Sequence, residues 1–112
     1  MISLQTKLYD LGNALNNLPS IDNVFHYWRF GIEAPYLIWA EDSEVALETD
    51  NHKGEQGIAG AIEFFTLTEF DEACDEIQEA LNSLENCYWY YDGASFEEDT
   101  NLIHHSWRWR IL

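Results

Sequence analysis

The apolar residues change their spacing between Ile58 and Leu84, and this change restricts the fold more than any other feature of the sequence. The stretch IAGAIEFFTLT, from Ile58 to Thr68, is apolar on both faces near its middle, which predicts a strand at the centre of a sheet. The apolar residues that follow recur at every third or fourth position. This spacing predicts a helix that Thr68 or Asp71 caps, that ends at about Leu84, and that turns its acidic residues outward. The predicted buried stripe of this helix is Ala73, Ile77, Ala80, Leu81 and Leu84.

The rest of the chain supplies one more helix and four more strands. Leucines at spacings of four and three predict a helix over residues 3–18, which Pro19 ends. Strands are predicted over residues 24–30, 34–42, 89–97 and 103–111, and the fourth strand of the chain is expected to bulge near Gly93. The resulting order, α-β-β-β-α-β-β, predicts a single α+β domain over residues 1–112, with one mostly antiparallel sheet and the helices packed on it.

The charge of the chain is strongly negative. It has 21 acidic against 5 basic side chains and a formal net charge of −16, although 46% of its residues are hydrophobic and favour a folded globule. Affinity for nucleic acid comes mostly from Lys and Arg, so direct binding to a DNA backbone is not expected. No stretch has the pattern of a membrane span or a secretory signal, which predicts synthesis in a cytoplasm and no membrane contact. Cys74 and Cys87 leave a disulfide open as an alternative, but in a reducing compartment buried free thiols are expected.

The sequence contains no pattern typical of a catalytic, metal or cofactor site. A glycine-rich phosphate loop, a CxxC pair, an HExxH motif and a nucleophile elbow are all missing. His104 and His105 are consecutive on a predicted strand, so their rings should point to opposite faces and not to one metal ion. Acidic neighbours are expected to raise the pKa of the Cys74 thiol and leave it inert. His52 and Asp50 supply too few ligands for an ion in a loop. We therefore expect no enzyme activity and no cofactor.

Two arginines stand out because they share one face of the last predicted strand. Arg108 and Arg110 either meet the acidic face of another copy in a head-to-tail contact or pair with acids of their own sheet, and the sequence leaves both alternatives open. The polar stretch over residues 43–57 is predicted to be a long exposed loop, which is uncommon unless it has a function. We predict contacts between subunits at the two arginines and at four residues of this loop, namely Asp50, His52, Lys53 and Glu55.

Two segments of the chain, TDNHKGEQGIAGAIEFFTLTEFDEACDEIQEAL and YYDGASFEEDTNLIHHSWRWRI, resemble the tail terminator, or tail completion, proteins of siphophages and prophages of Gram-positive bacteria. The resemblance implies a structural virion protein without catalytic residues. Such proteins form a ring, commonly a hexamer, at the head-proximal end of the tail. The implied partners are other copies of the chain, the major tail tube protein and the head-tail connector protein. DNA would pass through the lumen without specific binding, and an acidic lining would suit that passage.

An acidic mimic of DNA is the alternative from a different functional class. Small size, a net charge of −16 and the lack of catalytic motifs also suit an inhibitor that occupies the basic groove of a nuclease or a host defence complex.

Overall fold

The computed structural model describes residues 3–29, 31–45 and 57–112. They form two helices and five strands in the predicted order, and the strands make one sheet. The elements are α1 Leu4–Asn16, β1 Val24–His26, β2 Tyr36–Val45, β3 Gly57–Thr66, α2 Ala73–Asn82, β4 Cys87–Glu97 and β5 Leu102–Ile111. Within the sheet the strands lie in the order β1-β2-β3-β5-β4. The α+β class is therefore confirmed.

Helix α1 follows the leucine spacing but ends two residues before its predicted end. Leu11 and Leu15 are fully buried against the sheet. The last helical residue is Asn16 and not Leu18. Pro19 disfavours a helical conformation at Leu18, and Asn17 closes the helix one residue earlier, since its side-chain amide donates to the carbonyl of Asn13 at 2.8 Å.

Strand β1 is shorter than predicted and runs parallel to β2. The prediction covered residues 24–30, but the strand ends at His26, and Phe30 lies outside the described residues. Tyr27 has a φ of 72°, a left-handed conformation that interrupts the extended chain. The other three strand pairs are antiparallel, which confirms a mostly antiparallel sheet.

Strand β3 lies at the centre of the sheet, as its apolar sequence predicted. The predicted loop over residues 43–57 is wrong at both ends, because Ser43–Val45 continue β2 and Gly57 begins β3. Val45 pairs with Gly57 at this end of the two strands. The pairing gives hydrogen-bond partners to backbone groups that an exposed loop would leave to water. The candidate contact residues Asp50, His52, Lys53 and Glu55 lie outside the described residues.

Helix α2 buries the predicted stripe and ends two residues early, at Asn82. Ala73, Ile77 and Leu81 are buried, while Ala80 and Leu84 pack against the same core from its edge. The carboxylate of Asp71 accepts a hydrogen bond from the Ala73 N–H at 2.9 Å, which satisfies one of the unpaired donors at the start of the helix. The N-cap residue itself is Glu72, whose side chain makes no capping hydrogen bond, so the prediction that Thr68 or Asp71 occupies the cap position is wrong, although Asp71 supplies a side-chain acceptor at the start of the helix.

Both helices pack on the same face of the sheet. The core between the helices and the sheet contains Trp107, Phe64 and Trp109, all of which are buried. Strand β4 has a register shift between Tyr91 and Gly93, which confirms the predicted bulge. Among the described residues no helix is both long and apolar enough to cross a membrane.

Candidate functional site

The face of the sheet opposite the helices, here called the open face, is the surface that most distinguishes this chain. Side chains alternate along each strand, so every second residue of β2, β3, β5 and β4 points to it. No helix of the described residues covers this face. All three arginines of the chain lie on it, although the net charge is −16. These arginines are Arg29, Arg108 and Arg110.

A groove of about 420 Å³ runs over the open face between β3, β5 and β4. Strand pairing places Arg110 between Ala59 and Tyr88, and it places Arg108 between Ala61 and Tyr90. The small alanines of β3 leave space beside the long side chains of β5. Tyr88 and Tyr90 are 51% and 60% exposed, so the groove presents aromatic rings and hydroxyl groups to solvent. The residues that line the groove include Ala59, Tyr88, Tyr90, Arg108 and Arg110.

Arg108 is held in the groove by Asp42 of β2. Its Nη1 and Nη2 donate to the two oxygens of this carboxylate at 2.6 and 3.0 Å, a bidentate arrangement. The register of β2 shifts between Glu41 and Ser43, and this shift brings Asp42 to the open face. The hydrogen bonds from Arg108 hold the pKa of Asp42 below its usual value of 3.8. Of the two alternatives for Arg108, pairing within its own sheet is the one that the structure contains.

Arg110 has a different environment from Arg108. Its guanidinium carbon lies 5.4 Å from the centroid of the Tyr88 ring, in a cation-π contact. Stacking over a ring occupies a face of the planar guanidinium and leaves N–H groups at its edge for an acceptor. The exposed Arg110 is therefore the best placed side chain of the groove to bind a carboxylate from outside the chain.

The far end of the open face carries a row of stacked rings. Arg29 lies over Tyr36 at 4.8 Å and donates to its hydroxyl at 2.8 Å. Tyr36 stacks on Phe65, and Phe65 stacks on His104, with centroids 4.7 and 4.2 Å apart. His104 is also hydrogen-bonded to Glu63. Because the rings cover one another, this row presents less free surface to a partner than the groove does.

The two consecutive histidines point to opposite faces, as predicted. His104 belongs to the open face, whereas Nδ1 of His105 lies 2.8 Å from the Tyr91 hydroxyl on the helix side. Burial lowers the pKa of His105 below 6.5. The described residues contain no group of three or more His, Cys, Asp or Glu side chains arranged to hold a metal ion.

The two cysteines are free thiols with strongly perturbed acidity. Burial, together with the charges of Asp71 and Asp75, raises the pKa of Cys74 to about 11. Burial alone raises the pKa of Cys87 to about 11. The predicted direction for Cys74 is thus confirmed, but burial is a larger cause than the acidic neighbours that suggested it.

The outward side of α2 carries a line of acids, here called the acidic stripe, made of Glu72, Asp75 and Glu79. All three are exposed, and their spacings of three and four place them along one side of the helix. Glu76 lies beside this line but bonds the Ser20 N–H at 2.9 Å. Because α2 packs on the face of the sheet opposite the open face, the acidic stripe and the groove lie on opposite sides of the sheet.

A second cleft, of about 470 Å³, lies between α1 and the edge of the sheet formed by β1 and β2. His26 stacks on Trp39 there at 3.9 Å and is 2.6 Å from a carboxylate oxygen of Glu41. Sequence reasoning missed this cleft, because a strand of three residues and its parallel pairing leave no local pattern. It also missed Asp42, whose position depends on the bulge.

Comparison with known proteins adds no assignment for this site. The chain matches no protein-family model, and a search of curated proteins finds no match. The resemblance to tail terminators thus stays a prediction from the sequence. Of the six predicted contact residues, the structure places Arg108 and Arg110 side by side in the groove.

Proposed function

We propose that this chain is a structural protein of a phage or prophage tail, a tail terminator or tail completion protein. Six copies of it form a ring at the head-proximal end of the tail tube. The ring joins the tube to the head-tail connector and lets DNA pass through its lumen without binding it specifically. The protein is made in the host cytoplasm, acts in the virion and catalyses no reaction.

The observation that carries this proposal is the open face. A strongly acidic chain places all its arginines on the one sheet face that its own helices leave open, beside two exposed tyrosines. Tyr and Arg are the residues that most often dominate the energy of protein interfaces. A face of this kind suits contact with another protein surface that is acidic, and another copy of the chain provides one.

Exposed apolar residues at the turn before α2 support a second contact, with the tube or the connector. Phe70 is 99% exposed and Leu67 is 60% exposed. Phe70 also has a φ of 52°, an uncommon conformation for an aromatic residue. An exposed phenylalanine contributes nothing to the core of its own chain but is a good anchor in an interface.

Light scattering coupled to size-exclusion chromatography tests the ring. The chain mass is 13.1 kDa, so a hexamer has a mass of about 79 kDa, six times that value. We expect a discrete species several times the chain mass at high protein concentration, and its binding to added tail tube protein. A protein that stays at 13.1 kDa at every concentration and ignores the tube protein would refute the proposal.

A pair of surface variants tests the second contact separately. Phe70→Ser should abolish binding to the tube or the connector and leave the ring mass unchanged, because Phe70 is 99% exposed among the described residues. Tyr9→Ser is the matched control, since Tyr9 is 70% exposed on α1. Equal binding by the two variants would remove Phe70 from the proposed contact.

The DNA-mimic alternative keeps one specific observation in its favour, the acidic stripe on α2. Three exposed carboxylates in a line, on a chain of net charge −16, imitate a short run of phosphates. The test is competition: a mimic displaces DNA from a non-specific nuclease at low salt and loses this effect as salt rises. Displacement together with a monomeric mass would favour the mimic over the tail protein.

A further inference from the structure

The groove contains solvent-exposed hydrogen-bond donors that suit a carboxylate. Arg110 is exposed and rests on Tyr88, while the hydroxyls of Tyr88 and Tyr90 belong to side chains that are about half exposed. Asp42 already balances the charge of Arg108. The remaining positive charge of the groove is that of Arg110, and a carboxylate on Arg110 forms a charge-assisted bond that is stronger than a neutral one.

The acidic stripe is the complementary element on the other side of the molecule. Asp75 and Glu79 lie on the outward side of a helix whose inner side is fixed by Ile77 and Leu81 in the core. This anchoring holds the carboxylates at constant spacing on a convex ridge. A helical ridge fits a concave groove lined by tyrosines and small alanines, and it brings several acids near Arg110 at once.

We propose that the groove on the open face of one copy receives the acidic stripe of a second copy. This inference rests on the proposed ring and names the two surfaces that meet in it. The groove and the stripe are on opposite faces of the sheet, so one contact leaves a groove free on one copy and a stripe free on the other. Such head-to-tail contacts propagate and close into a ring or continue into a filament, whereas a two-fold dimer pairs identical patches.

The occupant is a second copy because of the distribution of charge. Each copy carries a net charge of −16, so most pairs of surfaces bring acid against acid. At physiological salt the Debye length is about 8 Å, which screens the general repulsion but affects a direct Arg–carboxylate contact less. The groove is a region where a second acidic chain gains an attractive contact.

Charge reversal on each side tests the contact. Arg110→Glu places acid against the stripe, and Glu79→Arg places base against the groove. We expect each single variant to lower the association constant, measured by light scattering, at least tenfold. An equal mixture of the two variants should assemble again, because every contact in an alternating ring then joins opposite charges at positions 110 and 79. Glu98→Arg, in the exposed turn between β4 and β5, is the control for Glu79→Arg, since it makes the same charge change outside the stripe, and it should assemble like the original chain.

The outcomes separate the inference from the proposed function. If the original chain assembles and both single variants assemble equally well, the groove–stripe contact is wrong and the ring stands. If the single variants are monomeric and the mixture stays monomeric, the specific pairing is also wrong. A monomeric original chain refutes the ring and the contact together. Circular dichroism of each variant confirms that the fold is retained in these comparisons.

Discussion

Gly60→Ala is the substitution that most sharply tests how β2, β3 and β5 fit together. A Cβ at Gly60 would lie 2.0 Å from the carbonyl oxygen of Ala40, 2.6 Å from Cζ2 of Trp109 and 2.8 Å from Cα of Glu41. Two of these atoms belong to the backbone of β2 at its bulge, so rotation of a side chain cannot relieve the contacts. The strands would have to separate by about 1 Å at the centre of the sheet.

The expected cost follows from the nature of these contacts. Overpacking a core costs about 1–3 kcal/mol where side chains can adjust, and a clash with backbone belongs at the upper end, about 3 kcal/mol or more. With an m-value of about 2 kcal/mol/M, this loss lowers the midpoint of urea unfolding by about 1.5 M. Tryptophan fluorescence is a suitable probe, since Trp109 packs against Gly60 and would report its own displacement.

Gly31→Ala is the matched control for the same chemical change. Gly31 has a φ of 57°, and no atom of the described residues lies within 4 Å of the added Cβ, so we expect only the conformational cost of about 1 kcal/mol. The midpoint should then fall by about 0.5 M. If Gly60→Ala lowered the midpoint no more than Gly31→Ala, the close approach of β2 to β3 at the bulge would be wrong, and with it the placement of Asp42 beside Arg108.

Three further predictions concern titrating groups. A double-mutant cycle of Asp42→Asn and Arg108→Gln, followed by urea unfolding, should give a coupling free energy of about 0.5–1 kcal/mol, which is modest because both side chains are partly exposed. This coupling should persist above pH 3.8 and vanish as the pH falls through the lowered pKa of Asp42. Cys74 and Cys87 should react with iodoacetamide at pH 8 about a hundredfold more slowly than a free cysteine, and rapid reaction of the folded chain would contradict their pKa of about 11. Burial lowers the pKa of His105, so its contribution to the free energy of unfolding should fall as the pH drops below 6.5, by at most about 1.4 kcal/mol per pH unit. His105→Gln should remove this contribution when urea unfolding is compared at pH 7.5 and 5.5, and an equal loss of stability in the variant and the original chain would refute the prediction.

The sequence predicted most of the fold because the main elements carry strong periodic patterns. The leucines of α1, the stripe of α2 and the alternation in β5 each extend over ten or more residues and therefore identify type and buried side together. The short β1 was overestimated because Tyr27 has a positive φ that its residue type does not indicate. Its parallel pairing depends on the path of the whole loop to β2, which no local pattern describes.

The candidate site was only partly predictable for a related reason. Alternation placed Arg108 and Arg110 on one face, but the identity of their neighbours depends on strand order. Tyr88 and Tyr90 flank the arginines only because β4 pairs with β5 at the edge of the sheet. Asp42 reaches Arg108 across β3, a contact that a register shift creates.

The contrast between the two arginines bears on the proposed assembly through the open face. Asp42 and Arg108 neutralise each other within one copy, so this pair adds order to the groove without attracting or repelling a second copy. Arg110 has no carboxylate partner among the described residues and lies over the ring of Tyr88. A surface with one satisfied ion pair and one exposed cation can face solvent in the free chain at little cost, and in the proposed assembly it would accept a carboxylate of another copy. Replacing Asp42 would therefore be expected to strengthen non-specific attraction between acidic chains, whereas replacing Arg110 would remove the specific contact.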